Sequence, residues 1–109
     1  MTSETQAVVE DVPAEERFEV RVGGELAGFA EYRRRGDLIA FVHTEVDPAF
    51  EGRGLGSTLI VRALDSARDA GLMVLPFCPF VRGFIDRHHD YLDLVPAGQR
   101  VELGLPAQA

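Results

Sequence analysis

The chain has 109 residues, 46% hydrophobic and 27% charged, with a formal net charge of -7, which describes one ordinary globular domain. One cysteine excludes an internal disulfide framework and fits a reducing, cytoplasmic setting. Five of the 18 acidic residues, and no Lys or Arg, fall in residues 1–16, so the body is nearly balanced and lacks the basic face that a nucleic-acid partner needs. No apolar stretch approaches a membrane span. Met1-Thr2-Ser3-Glu4-Thr5-Gln6 has neither the basic start nor the apolar core of a signal peptide.

Residues 1–16 show no sustained period and read as a disordered acidic tail. Phe18, Val20 and Val22 alternate with Glu19 and Arg21 and predict a half-buried strand. Gly23-Gly24 is a hairpin signal. A second strand runs from Leu26 to Arg34 and stops at Arg35-Gly36-Asp37. Leu38 to Val46 opens apolar on both faces, as a central strand does. Three strands joined by tight turns predict an antiparallel meander. After a glycine-rich stretch, Leu55, Leu59, Ala63 and Ala67 recur at helical spacing, with Gly71 as a stop. Leu72 to Leu75 is a short buried strand after a strand–helix unit, so it is expected parallel to the third strand. Val81 to His89 predicts a second helix, Tyr91 to Val95 a last short strand, and residues 96–109 a flexible tail. The expected domain is 17–95, in an α/β (α+β mixed-sheet) class.

Glu51-Gly52-Arg53-Gly54-Leu55-Gly56-Ser57 lies where the third strand hands over to the long helix. The first amides of a helix have no internal partner and carry the positive end of its dipole. A glycine-rich loop at that place is an anion pocket, most often for phosphate. A P-loop needs Gly-Lys-Ser/Thr, and no Lys separates Gly56 from Ser57. A dinucleotide fingerprint needs a third glycine where Ser57 stands.

With His43-Thr44-Glu45-Val46, Pro48, the glycine loop, the Leu/Ala-rich helix and Leu72 to Cys78 in this order, the chain resembles the GNAT superfamily of acyl-CoA-dependent N-acetyltransferases, in a short single-domain branch. The resemblance covers about residues 17–95. It implies a GNAT-like sheet splayed between a parallel strand pair, with acetyl-CoA as cosubstrate in the gap. The amides of Arg53, Gly54, Leu55, Gly56 and Ser57 would hold the pyrophosphate, and backbone groups of Thr44 to Val46 the pantetheine arm. Two departures stand out. Glu51 takes a place where the superfamily has Gln or Arg. The helices that larger relatives carry between their first two strands are missing, which leaves the acceptor side open. The implied partner is a small-molecule or peptide amine, with the protein a monomer or weak dimer.

Acetyl transfer to an amine needs a neutral amine, a polarised carbonyl and a proton for the departing thiolate. His43 is the candidate base, because imidazole ordinarily titrates near neutrality. Strand alternation puts it on one face with Phe41 and Glu45, opposite Thr44, so Glu45 is its candidate orienting carboxylate. Cys78 follows the parallel strand, at the end where open α/β sheets bind ligands. It is read as a covalent acyl acceptor, an acid for the thiolate, or a packed thiol. His88 and His89 point about 100° apart on a helix and do not share a metal, so no metal is expected. The alternative function is a CoA-binding module with little catalysis.

Overall fold

The computed structural model describes residues 6–107. Five strands form one sheet in the order β1-β2-β3-β4-β5. These are β1 (Ala7–Val12), β2 (Arg17–Val22), β3 (Glu25–Arg35), β4 (Leu38–Val46) and β5 (Met73–Pro76). The first four are antiparallel in succession, and β5 lies parallel to β4. Helix α1 (Leu55–Asp69) makes the crossover between β4 and β5, and α2 (Pro79–Arg87) and α3 (Ala97–Arg100) follow. The fold is therefore the mixed α/β architecture with a parallel pair that the sequence predicts.

The sheet is buried on one face. Phe18, Val20, Ala30, Tyr32, Ile39, Phe41 and Val74 alternate inward along their strands and meet Leu59, Ile60, Ala63 and Leu64 of α1. Those four helix residues are fully buried, and each large one stabilises the fold by about 1.5–3 kcal/mol relative to exposure. Gly71, at φ 73, ends the helix after Ala70. Val81, Phe84 and Ile85 of α2 extend the same core.

Three expectations are corrected here. Residues 7–12, read as part of a loose tail, form β1 and pair along β2 from Ala7↔Val22 to Val12↔Arg17. Ala7 and Val9 are half-buried while Val8 and Glu10 face out, and Tyr32 Oη donates to Asp11 Oδ1 across the sheet. Residues 1–5 of that tail lie outside the described residues. Tyr91 to Val95 is not a strand: Tyr91 to Leu94 belong to a 3-10 turn, His89–Leu94, and Val95 follows it. The turn buries Leu92 and Leu94, and Arg68 of α1 clamps it through Asp93 (2.8 and 3.0 Å) and Asp90 O (2.8 Å). The segment from 96, expected to be mobile, carries α3 and returns Leu105 to the core at 5% exposure. Arg100 pins it by donating to Val95 O and Ala107 O; residues 108–109 lie outside the described residues.

Candidate active site

The parallel pair is short. It runs from Leu38↔Met73 to Phe41↔Pro76, and Cys78 N adds a last bond to Phe41 O at 2.8 Å. Pro79 then starts α2 and turns the chain away. Strand β4 goes on to Val46, so its last residues have β3 on one edge only. Asp47 N donates to Ala27 O across that β3 edge at 2.7 Å. Backbone groups alternate between edges, so those of Val46 and Thr44 point into the gap.

The glycine loop closes the same end. Asp47 caps a 3-10 turn, Pro48–Phe50, by accepting from Ala49 N at 2.9 Å. Gly54 is the N-cap of α1 at φ 71, a left-handed conformation that favours glycine. Its carbonyl accepts from Thr58 N and Thr58 Oγ1. The amides of Leu55, Gly56 and Ser57 precede the first intrahelical bond and need an outside partner. Gly56 answers a different need. A Cβ there would stand 2.6 Å from Phe80 Cζ, so the ring of Phe80, from the first turn of α2, lies against bare backbone. The N-termini of both helices thus meet at the gap. Arg53 lies over the Phe50 ring at 5.3 Å, and Glu51 is exposed at the rim.

A bulge in β4 decides where the candidate catalytic groups point. Glu31 opposes His43 and Tyr32 opposes Phe41, which leaves Val42 as an extra residue. The expectation that His43 shares a face with Phe41 is therefore wrong. Phe41 is fully buried, whereas Val42 and His43 both lie on the open face. The pairing of His43 with Glu45 is present, Nε2 to Oε2 at 2.7 Å. Thr44 lies on the opposite face, where Cys78 Sγ donates to its Oγ1 at 3.3 Å. Cys78 is 3% exposed. The strand thus carries one candidate pair on each face, and the two pairs are not in contact.

A row of side chains on the open face supports His43. Its ring lies 6.1 Å from Phe29, over which Arg17 stacks at 4.6 Å. Arg17 and Arg21 both bond Glu19, at 2.8 and 2.9 Å. Burial pushes the Glu19 carboxyl up, but the two guanidiniums outweigh it and hold it below the usual carboxylate range. Tyr91, a possible proton donor by its residue type, is engaged elsewhere: its hydroxyl donates to Asp65 on α1. Burial, then Asp65, raises its pKa.

Sequence reasoning missed three features: the bulge, the thiol–hydroxyl pair, and the contact of Phe80 with Gly56. Thr44 and Cys78 are 34 positions apart, and nothing local signals their meeting.

Comparison with known proteins bears on this arrangement. A family profile described as GCN5-related N-acetyl-transferase matches residues 17–94, most of the chain. The chain belongs to the GCN5-related N-acetyltransferase family. Its fold is similar to that of a GCN5-like protein from Staphylococcus aureus, with TM-score 0.64 and 21% identity over 82% of this chain and 87% of that one. It is also similar to the ribosomal-protein-S18-alanine N-acetyltransferase from Escherichia coli, with TM-score 0.51 and 25% identity over 53% of this chain. The chain spans only 38% of that enzyme. No curated protein sequence matches significantly. Among the described residues, no helix of this acetyltransferase-family chain is long and apolar enough to cross a membrane.

Proposed function

We propose that this protein transfers an acetyl group from acetyl-CoA to an amine, by direct attack with both substrates bound. The observation that carries the reading is the gap: β4 runs on to Val46 after its last partner on β5, beside the unpaired amides of α1. An unpaired strand edge suits the amides of a pantetheine arm, and the N-terminus of a helix suits a diphosphate. Arg53 to Ser57 would hold the diphosphate, and Thr44 and Val46 the arm. Bound acetyl-CoA supplies an activated acyl group and a thiolate that departs.

The chain's residues supply the rest. With Nε2 donating to Glu45, His43 keeps Nδ1 as a lone pair able to take the amine's proton. The amide near Val46 is a fixed dipole for the carbonyl oxygen. Cys78 borders the gap with its S–H engaged by Thr44, an arrangement suited to giving a proton more than to attacking.

The test is CoA release from acetyl-CoA with a panel of amines. Release rises with a productive amine, and His43→Ala lowers turnover about 10²-fold. Cys78→Ser leaves an appreciable rate, and no acetylated Cys78 is found by intact mass. A full rate in His43→Ala removes it as the base.

Glu51 favours a second reading. Its carboxylate is exposed beside an anion pocket, which weakens the pocket for a doubly charged ligand. On that reading the protein is a CoA-binding module. CoA binding without turnover across the whole panel decides for it.

A further inference from the structure

The open face of the sheet carries a patch that the proposed chemistry does not use. Leu38, Ala40 and Val42 of β4 meet Leu75 and Phe77 in a shallow depression of about 450 Å³. Val42 is 37% exposed and Phe77 50%. The rim is Arg33 and Arg35 at the end of β3, which stand opposite Ala40 and Leu38 on this face, with Glu16 beside them. Arg33 reaches Glu16 at 3.8 Å, and Arg35 forms no ion pair among the described residues. Two cationic side chains thus flank an apolar floor on a protein of net charge -7.

We infer that this patch is the docking surface for the acceptor, and that the acceptor is a polypeptide segment carrying an apolar side chain flanked by carboxylates. The inference rests on the acetyl-transfer reading for the role of the bound segment, not for its binding. Position argues for the acceptor. Val42 adjoins His43, and Phe77 adjoins Cys78, so a segment seated here ends at the mouth of the gap on the face that carries His43.

Chemistry argues for the segment's composition. The aliphatic floor takes an apolar side chain, and guanidiniums at the rim pair with carboxylates. A small free amine would engage neither. A second copy of the chain fits poorly, because a two-fold contact would bring the arginine rims face to face. Nucleic acid fits poorly as well, since the protein's overall charge opposes it.

The experiment uses a fluorescein-labelled peptide bearing Phe, Leu, several Glu and one Lys, with a control peptide in which Lys replaces Glu. Fluorescence polarisation on the full chain, without acetyl-CoA, reads binding alone. The acidic peptide is expected to bind saturably and to weaken with added salt; the control is not. Arg33→Glu with Arg35→Glu, and separately Phe77→Ser, should each weaken binding about tenfold or more while unfolding at the wild-type temperature. Equal binding of both peptides, or variants that bind like the wild type, overturns the inference. So does light scattering that shows a dimer lost in the arginine variant, since the patch then belongs to a second copy. Acetyl-CoA is added last. A bound peptide left unacetylated, while other amines are turned over, overturns its role as acceptor. No turnover of any amine instead counts against acetyl transfer itself and leaves the binding result standing.

Discussion

At the residue scale the site depends on two side chains that meet across unlikely distances and on one that is absent. Thr44 and Cys78 meet because β5 stops just where β4 continues. Gly56 has no side chain because Phe80 occupies the space. This contact has a measurable signature. Alanine is favoured over glycine within a helix by up to about 1 kcal/mol, but a Cβ at Gly56 must push the Phe80 ring aside. Gly56→Ala should therefore stabilise the Phe80→Ala protein by roughly that amount and the parent by much less, in urea titrations. Equal effects in the two backgrounds would show that ring and glycine do not touch in solution. None of this was legible locally. The loop glycines signalled an anion pocket, and Gly54 has the left-handed backbone of such a loop, but the reason for Gly56 lies on another helix.

At the element scale, strong periods were readable and mixed ones were not. Helix α1 carries a clean apolar stripe, and β2 a clean alternation, so both were found close to their true ends. Strand β1 hides its pattern: Val8 is apolar yet faces out, Asp11 is polar on the inward side, and Ala7 and Val9 are only half-buried. The bulge at Val42 is set by pairing with β3, which no single strand encodes.

Strand β2 also yields a pH prediction. The folded protein holds Glu19 below its ordinary value of 4.5, because Arg17 and Arg21 outweigh its burial. A group with a lowered folded pKa stabilises the fold above its unfolded pKa and loses that contribution as pH falls through the folded one. Stability should therefore drop on acidification below about 4.5. Glu19→Gln should be less stable at neutral pH by about 1 kcal/mol and show a shallower loss in acid. Parallel acid profiles for the two proteins would deny Glu19 that role.

At the scale of the whole molecule, one sheet divides the labour. Its covered face builds the core, and at its end β4 runs on beyond β5 beside the start of α1. Its open face carries His43 and Glu45, the ion-paired row around Glu19, and the apolar patch rimmed by arginines. The order of strand, glycine loop, helix and strand made the parallel pair readable from the sequence, and the family resemblance implied its gap. Which side chains stand on which face was not readable, because that turned on a single extra residue.

CoA is proposed to lie along the free edge of β4 and against the first amides of α1. Amide chemical shifts during titration with CoA test it most directly. Saturable shifts should centre on Thr44 to Val46 and Arg53 to Ser57 and vanish with Gly54→Val in a protein that remains folded. Saturable shifts centred elsewhere, or none at all, would contradict it.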